Sequence, residues 1–364
     1  MVQNAAPGRY ICGAERMGGP LKSGKPTSRD IAHAAGVSQA TVSRALRNSP
    51  EVTPETRARV MEVARELNYR VDKNAAGLRS RHSNTIALLL FEDSSTDESQ
   101  INPFFLSMLG SIARAAAASD YDLLVSFQQL SNNWQGRYEA SNRADGIILL
   151  GYGDYLNYGE KLRALDEGGA HYMIWGPTLE QHEGRSLGCD NVSGGRQSTE
   201  HLLSLGRKRV AFLGDNGPGF PEFRARYFGY EAALKTAGFE PDPALQRDAE
   251  NSENAGYIAV QSLVLGGADF DAIVTCSDLI AIGALRALQE LGKRVPEEVS
   301  LVGFDDIPAA SYVNPGLTTI RQDTQRAGAM LVDNLIGLIH ERSVSSALIE
   351  PRLVVRRSCG GHPR

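Results

Sequence analysis

The fold of the first part of the chain is decided by residues 27–70, which read TSRDIAHAAGVSQATVSRALRNSPEVTPETRARVMEVARELNYR. Thr27 and Asp30 match a capping box, in which a hydroxyl and a carboxylate three residues apart satisfy the first amides of a helix. Gly36 supplies a turn after this helix, and Ser38 can cap a second helix that starts at the next residue. The spacing therefore predicts a helix-turn-helix.

The second predicted helix, Gln39–Leu46, places polar side chains at its exposed start. A third helix is predicted over residues 54–68, with Thr53 as its cap. The start of a recognition helix touches base edges in the major groove of DNA, where arginine can pair with guanine and glutamine with adenine. Any small helical domain has a similar pattern, so the helix pair alone is weak evidence. The outward-facing candidates on the second helix are Gln39, Ala40, Ser43 and Arg44.

The net charge of −5 conceals an asymmetry between the two parts of the chain. Residues 1–82 contain 14 Lys and Arg against 7 Asp and Glu, so they carry +7 and the remaining residues carry −12. Contacts with phosphates dominate the affinity of proteins for nucleic acids, so a basic N-terminal part favours a nucleic-acid partner there. A solvated basic tail would have the same charge, and charge alone favours nucleic acid only slightly.

Length and composition exclude several classes of protein. A chain of 364 residues is too long for one compact core, so two or three domains are expected. With 42% hydrophobic and 22% charged residues the chain is typical of globular proteins, and no apolar run approaches the roughly 20 residues of a membrane span. The start of the chain lacks the apolar stretch of a secretory signal. The 4 cysteines lie far apart, which predicts neither a metal site nor a disulfide framework and fits a reducing cytoplasm.

From Asn84 onward, apolar runs alternate with helical segments. The predicted strands are 86–91, 123–127, 146–150, 173–175, 209–214, 272–276 and 300–304, and the predicted helices are 103–119, 194–205, 224–237, 255–265, 278–291 and 325–340. Continuous apolar runs are typical of parallel strands buried on both faces, so the alternation predicts doubly wound parallel sheets with ligands at the carboxyl ends of the strands. No strand is followed by a dinucleotide or P-loop fingerprint, and no cofactor is predicted.

Residues 27–70 closely resemble the DNA-binding head of the lac-repressor (LacI/GalR) family of transcriptional regulators. The match lies in AGVS-x-x-TVSR-x-L, in N-x-x-x-V-T-x-E-T-R-x-R-V and in the closing LNY. It continues at NPFF (102–105), DGIIL (145–149), CDN (189–191), HLLSLGRKRVAFLG (201–214), RYFGY (226–230), SDLIAIGALRAL (277–288), VPEEVSLVGFDDI (295–307) and LTTIRQ (317–322). The resemblance therefore covers residues 27–358.

The resemblance implies an N-terminal all-α helix-turn-helix head and an α/β periplasmic-binding-protein-like core of two Rossmann-like subdomains. The implied organisation is a disordered N-terminal extension over 1–26, the head over 27–70, a hinge over 71–83, a core for effector binding and dimerisation over 84–358 with two subdomains that are discontinuous in sequence, and a tail over 359–364. Translation could also start at Met17. The chain ends without leucine heptads, so we expect a homodimer and not a tetramer.

A homodimer of this family places two heads on a pseudo-palindromic stretch of double-stranded operator DNA. Gln39 and Ala40 fall on the main specificity positions of the family. The DNA-binding residues that the resemblance implies are Thr27, Ser28, Ser38, Gln39, Ala40, Thr41, Ser43, Arg44, Arg47, Thr53, Thr56, Ala75 and Leu78.

The hinge departs from the family. Ala75 and Leu78 match the hinge alanine and the leucine that wedges into the minor groove when a hinge helix forms on DNA. The family commonly has a proline where this chain has Val71, and Gly77 weakens a helix by up to about 1 kcal/mol relative to alanine. We therefore expect a hinge that is more disordered without DNA and costs more to fold on it.

The effector would bind between the two subdomains. Arg226 matches a family arginine whose forked donors suit hydroxyls or a carboxylate, although it could simply open a surface helix. Asp305 matches an acceptor for sugar hydroxyls but could instead cap a turn, and Trp175 could stack on a sugar or belong to the core. A polar insertion at 93–100 puts the position of the loop at 102–105 in doubt. The implied effector-binding residues are Asn102, Phe104, Phe105, Trp175, Asp190, Arg226, Ser277, Asp305 and Gln322.

The resemblance implies a repressor whose affinity for operator DNA is controlled by a small molecule, and sugars are the commonest effectors of the family. Open alternatives are a co-repressor-dependent regulator, an activator, and a purine, nucleoside or protein partner in place of the sugar. A solute-binding receptor would need a secretory signal and would lack the head. An enzyme would need a nucleotide fingerprint, a Gly-x-Ser-x-Gly elbow or metal-ligand spacing, and the sequence contains none of these. We predict no enzymatic activity, no catalytic residue and no metal site.

Overall fold

The computed structural model describes residues 26–69, 82–91, 101–128, 134, 138–151, 155–177 and 183–362. The chain divides into two compact units, Met1–Ala76 and Gly77–Arg364. The predictions for residues 1–25, for Val71, Ala75, Gly77 and Leu78 of the hinge, and for the insertion at 93–100 lie outside the described residues.

The first unit contains the three predicted helices, α1 (Ser28–Ala35), α2 (Gln39–Leu46) and α3 (Pro54–Glu66). The hydroxyl and the amide of Thr27 each donate to a carboxylate oxygen of Asp30 at 2.7 Å, and these hydrogen bonds lower the pKa of Asp30. Gly36 has a φ of 64°, so it makes the left-handed turn that the sequence predicts. Buried apolar side chains of all three helices form the core, among them Ile31, Val42 and Val60.

The second unit begins with a parallel sheet. Its elements are β1 (Thr85–Phe91), α4 (Pro103–Ala118), β2 (Asp122–Gln128), β3 (Gly146–Leu150), α5 (Tyr155–Glu167), β4 (Tyr172–Trp175) and β5 (Ser186–Cys189). Most of the β1, β3, β4 and β5 side chains are buried, as expected for strands covered by helices on both faces. We call this part the first subdomain.

A second sheet follows, in what we call the second subdomain. Its elements are α6 (Asn191–Ser204), β6 (Val210–Leu213), α7 (Pro221–Thr236), β7 (Gln246–Arg247), α8 (Glu253–Leu265), β8 (Ala272–Thr275), α9 (Asp278–Glu290), β9 (Ser300–Asp305) and β10 (Thr318–Arg321). Short 3₁₀ turns lie at Pro243–Leu245 and Pro308–Ser311. The chain ends with α10 (Thr324–Ile339), β11 (Ala347–Ile349) and β12 (Arg352–Val354).

The two sheets exchange chain segments. The strand order is β11-β5-β4-β3-β1-β2 in the first sheet and β12-β10-β9-β8-β6-β7 in the second. All described pairings are parallel except that of β12 with β10. Helix α10 follows a strand of the second sheet but packs on the first subdomain, where its Gly328 lies against Ser111 of α4.

The chain consequently passes between the subdomains three times, at Asp190, at residues 322–323 and at residues 350–351. Three covalent links therefore join the two subdomains. The structure confirms the predicted fold class of a helical head followed by two doubly wound sheets. Within the described part of the chain, no helix has the length and apolarity needed to cross a membrane.

Candidate functional site

The exposed part of the head is built around the start of α2. Ser38 accepts a hydrogen bond from the amide of Thr41 at 3.1 Å and so caps the helix. Gln39 and Ala40 follow at the first two positions, and the Gln39 side chain donates to the Ser28 hydroxyl at 2.7 Å. A polar and partly exposed first turn is the geometry of a helix that reads base edges.

The other predicted DNA-binding residues of the head lie at helix starts or on the C-terminal half of α2. Thr27 and Thr53 precede α1 and α3, and the hydroxyls of Thr53 and Thr56 lie 3.0 Å apart. Helix N-termini offer free amides and partial positive charge to phosphate groups. Arg44 forms an exposed ion pair with Glu51 at 3.0 Å, which a nucleic acid could displace at little cost.

The centre of the second subdomain is a buried guanidinium. Arg226, on α7, is 1% exposed. Its Nε donates to the Asn191 side-chain oxygen at 2.8 Å, its Nη1 donates to the Cys276 carbonyl, and its Nη1 lies 3.8 Å from Oδ1 of Asp305. The guanidinium carbon also lies 3.7 Å from the ring centre of Phe304, which adds a cation–π contact. Arg226 therefore does not open a surface helix but is buried beside Asp305.

Asp305 stands at the end of β9 and is 4% exposed. Its Oδ1 accepts a hydrogen bond from the Gln322 side-chain amide at 2.7 Å. The φ angles of Asp305 and Asp306 are 114° and 56°, and such conformations of residues other than glycine cost of the order of 1–3 kcal/mol each. Strain of this kind is typical of sites where the backbone must present a side chain. The structure thus brings Arg226, Asp305 and Gln322 together at the carboxyl ends of β9 and β10.

Asp190 and Ser277, two further predicted effector-binding residues, each cap a helix that starts at the next residue. Asp190 accepts a hydrogen bond from the Ser193 amide at 2.9 Å and begins α6. Ser277 is buried, accepts from the Ile280 amide at 3.2 Å and begins α9. Asp190 directly follows β5 and Ser277 lies two residues after the end of β8, so both stand at the carboxyl edges of the sheets.

The predicted effector-binding residues of the first subdomain are one asparagine, Asn102, and three aromatic residues. Asn102 caps α4 through a 2.9 Å hydrogen bond from the Phe104 amide to its side-chain oxygen, while its buried Nδ2 has no hydrogen-bond partner among the described residues. The ring of Phe104 lies 5.3 Å from that of Phe105 and 6.2 Å from that of Trp175. Phe105 and Trp175 are buried in the core cluster, so Trp175 serves the core whatever else it contacts.

A cavity of about 490 Å³ lies between side chains of the first subdomain and side chains of the second subdomain. Phe104 and Ser107 line it on the side of the first subdomain, and Asp305 and Gln322 line it on the side of the second. Glu350, at the third crossing, also lines the cavity, as do several charged side chains of the second subdomain and of α10, whereas the buried Arg226 lies behind Asp305 and does not line it. Polar groups from both subdomains and an aromatic ring therefore face the same space, which is a typical composition of a small-molecule site.

Sequence reasoning missed two residues of this region. Asn251 follows β7 at the carboxyl edge of the second sheet, is 5% exposed, and neither polar atom of its side chain has a hydrogen-bond partner among the described residues. A buried amide without partners is rare and indicates a missing ligand or water. Asp278, the first residue of α9, is fully buried, and burial raises its pKa well above the usual value. Asn251 lies in a polar loop that matches no motif, and Asp278 lies in the motif SDLIAIGALRAL, where nothing in the sequence marks it as buried.

The thiols and imidazoles near these elements are structural. Burial raises the pKa of Cys189 to about 12 and the pKa of Cys276 still further, so both thiols are protonated at neutral pH. His201 lies 3.2 Å from the sulfur of Cys359, and burial lowers its pKa. Over the ranges that the structure describes, no cluster of three or more His, Cys, Asp or Glu could hold a metal ion.

Two family models match the chain. Residues 27–72 match the description "Bacterial regulatory proteins, lacI family", and residues 199–359 match "Periplasmic binding protein-like domain". The HTH-type transcriptional regulator CelR of Thermobifida fusca is 31% identical over 92% of this chain and 98% of its own length. The chain belongs to the LacI family. RegA of Clostridium saccharobutylicum, another HTH-type transcriptional regulator, is 30% identical over 91% of this chain and 98% of its own length.

Solved structures of LacI-family members share the fold over most of this chain. The lac repressor dimer bound to operator and the anti-inducer ONPF has a TM-score of 0.80 at 25% identity, covering 92% of this chain and 99% of that one. The CelR–cellobiose complex has a TM-score of 0.69 at 29% identity, with the same coverage. These relatives confirm that the chain is a transcriptional regulator with a DNA-binding head and an effector-binding core.

Proposed function

We propose that this LacI-family regulator is a repressor that binds operator DNA as a homodimer and is controlled by a neutral sugar held between its subdomains. The cluster of Arg226, Asp305 and Gln322 is the observation that supports it most directly. Each hydroxyl of a sugar can both donate to a carboxylate and accept from an amide or guanidinium. Because the charge of Arg226 already faces Asp305, the cluster offers less to an anionic ligand than a lone arginine would.

The proposed site consists of Asn102, Phe104, Phe105, Trp175, Asp190, Arg226, Ser277, Asp305 and Gln322, to which we add Asn251. Phe104 lies beside the cavity and can cover the apolar face of a pyranose. CelR is a relative whose structure contains cellobiose, so cellobiose is the first sugar to test.

The proposed DNA contacts are divided between bases and backbone. Gln39 and Arg44 would read base edges, because they project from the exposed face of α2. Phosphates would be held at the starts of the three helices, by the hydroxyls of Thr27, Ser38 and Thr53 among others. Ala75 and Leu78 would enter the minor groove from the hinge. Because operator DNA lies in the cytoplasm of a bacterium, we place the protein there, and we propose no enzymatic activity.

The proposed domain boundaries are the head at 27–70, the hinge at 71–83 and the core at 84–358, preceded by an extension over 1–26 and followed by a tail over 359–364. The Cys359 carbonyl accepts a hydrogen bond from the Ser300 hydroxyl of β9 at 2.7 Å, which favours moving the end of the core one residue further, to Cys359. Binding of the sugar favours one closure of the cleft and thereby one placement of the heads. Moving this equilibrium from 1:99 to 99:1 needs about 10⁴-fold tighter binding to the favoured state.

The test is operator binding by fluorescence anisotropy at fixed salt, using the pseudo-palindrome nearest the gene and a panel of cellobiose, other sugars and purines. We expect one sugar to release the operator. Arg226→Lys keeps the charge but loses the forked donors, and we expect the sugar to bind about 10- to 100-fold more weakly.

Arg224→Lys is the matched control, because Arg224 lies on the same helix but is exposed. It should respond to the sugar as the wild type does. Tighter operator binding with a ligand would identify a co-repressor, release by a purine would replace the sugar, and hydrolysis of the bound sugar would contradict a purely regulatory role. An Arg226→Lys variant with unchanged sugar affinity would place the effector elsewhere.

A further inference from the structure

A buried carboxyl lies directly beneath the turn that presents Asp305. Asp278 is 0% exposed and begins α9. Its Oδ2 accepts a hydrogen bond from the backbone amide of Ile307 at 2.8 Å, and its Oδ1 accepts from the Thr319 hydroxyl of β10 at 2.6 Å. One side chain therefore ties the start of α9, the end of β9 and the middle of β10 together.

The turn needs the hydrogen bonds of Asp278 because its backbone is strained. Asp305 and Asp306 both have positive φ angles, which residues with a Cβ rarely adopt. The Asp306 carboxylate accepts hydrogen bonds from Arg321 at 2.6 Å and Arg356 at 2.5 Å, which fix the outer part of the turn. The inner part, at the amide of Ile307, is held by Asp278.

The strand next to this carboxyl leaves room for it through a glycine. A Cβ built on Gly303 of β9 would collide with Oδ1 of Asp278, at a separation closer than any real contact. A side chain at position 303 would push the carboxyl away from Thr319 and Ile307. Glycine at this position thus permits the approach that the turn depends on.

We propose that Asp278 is a positioning residue of the effector site, which holds the strained turn so that the Asp305 carboxylate meets Gln322 and the effector. Asp278 itself touches no effector. The inference rests on the proposed function, because it takes Asp305 as an effector ligand. Burial, and after it the neighbouring charge of Asp305, raise the pKa of Asp278.

The experiment compares Asp278→Ala with Asp278→Asn in the full-length chain, with cellobiose as the probe in titration calorimetry. Asparagine can accept from the Ile307 amide through its oxygen and donate to the Thr319 hydroxyl through its nitrogen, so it retains the tie. We expect Asp278→Asn to bind cellobiose within about 3-fold of the wild type and Asp278→Ala to bind it about 10-fold or more weakly. A role confined to stability would not separate the two variants when both are folded.

Thr319→Val is an independent variant in case Asp278→Ala does not fold. Valine has nearly the shape of threonine but cannot donate to Asp278, and we expect cellobiose to bind about 3- to 10-fold more weakly. Equal cellobiose affinity of the wild type, Asp278→Ala and Thr319→Val would overturn the inference.

Asp305→Asn distinguishes a failure of the inference from a failure of the proposed site. If Asp305→Asn weakens cellobiose binding and Asp278→Ala does not, Asp278 has no positioning role. If Asp305→Asn binds cellobiose as the wild type does, the proposed site is wrong. Asp278 then has no role in effector binding either, because that role depends on Asp305.

If the wild type does not bind cellobiose, hydrogen exchange at the Ile307 amide decides whether Asp278 holds the turn. Exchange should be about 10-fold faster in Asp278→Ala than in the wild type and nearly unchanged in Asp278→Asn. Equal exchange in all three proteins would overturn the inference.

Discussion

Arg226 shows how one buried side chain can prepare a site for a neutral ligand. Asn191 and the Cys276 carbonyl hold its nitrogens, and Asp305 and the ring of Phe304 lie beside its charge. Removing one partner of a buried ion pair leaves an uncompensated charge and costs about 3–5 kcal/mol, so the partners of Arg226 hold one another in place. In the proposed site, a sugar hydroxyl would meet donors and acceptors that are already oriented, and little ordering entropy would be lost on binding.

Asn251 provides a prediction in which stability and binding change in opposite directions. Both of its polar side-chain atoms are buried without a partner among the described residues, so Asn251→Leu removes a desolvation penalty from the effector-free protein. We expect unfolding to require about 1 kcal/mol more free energy and the effector to bind about 10-fold more weakly. Denaturant unfolding and calorimetric titration with the effector found in the panel measure the two quantities.

Asn254→Leu is the control for that substitution, because Asn254 lies three residues further on and is exposed. It should leave effector affinity unchanged. If Asn251→Leu destabilises the effector-free protein and leaves effector affinity intact, Asn251 is a structural residue with a water partner and not part of the site.

Asp278 also predicts a pH dependence of stability. Its folded pKa is raised, so its contribution to stability is complete below the unfolded pKa of about 3.9 and is lost as pH rises through the folded pKa. The asparagine of the Asp278→Asn variant does not titrate. The melting temperature of Asp278→Asn minus that of the wild type should therefore become more positive between about pH 4 and pH 7. A constant difference over this range would show that Asp278 is ionised throughout.

At the scale of elements, the sequence predicts those strands whose side chains are apolar in succession. TIALLLF of β1 and GIILL of β3 are buried on both faces, and their short continuous apolar runs identify both. SLGC of β5 and TTIR of β10 were not predicted, because glycine and hydroxyl residues break the apolar run. Their burial comes from neighbouring strands in the sheet, and a local pattern does not contain that information.

The residues of the candidate site also divide into those that the sequence identifies and those that it does not. Arg226, Asp305 and Gln322 could be named because each lies in a motif of the family resemblance, at RYFGY, VPEEVSLVGFDDI and LTTIRQ, although the strand before Gln322 was not predicted. Asn251 could not be named, since it follows the two-residue strand β7 and its burial depends on long-range packing. The tie from Asp278 to Ile307 spans 29 residues and depends on the left-handed turn between them, which sequence reasoning does not foresee.

At the scale of the whole core, the three crossings determine which motion can transmit the effector signal. Asp190, Gln322 and Glu350 lie at the crossings, and the last two also border the cavity. A ligand that contacts the crossings and both walls changes the relative free energy of open and closed cores directly. In the proposed homodimer, this change would alter operator binding by the two heads, and that is why the assembly state matters for regulation.

The edge strand β2 is where we expect the two copies to meet. It pairs only with β1 among the described strands, and Val125 and Phe127 project from one of its faces with 41% and 49% exposure. Proteins rarely leave an edge strand with exposed apolar side chains unless another chain covers it. In a two-fold dimer each such residue is buried twice, so one substitution affects the interface at two places.

Phe127→Glu should therefore dissociate the dimer. Burying a partly exposed phenylalanine contributes about 1.5 kcal/mol, so its loss at two symmetric places weakens the dimer by about 3 kcal/mol, or more than about 100-fold in the dissociation constant. Light scattering after size exclusion measures the assembly, and operator binding should weaken in parallel because only one head then engages the DNA. Leu348→Glu is the matched control, since Leu348 is 51% exposed on β11 at the opposite edge of the same sheet. If Leu348→Glu gives monomers and Phe127→Glu does not, the interface lies at the other edge, and the two copies would face each other through β11.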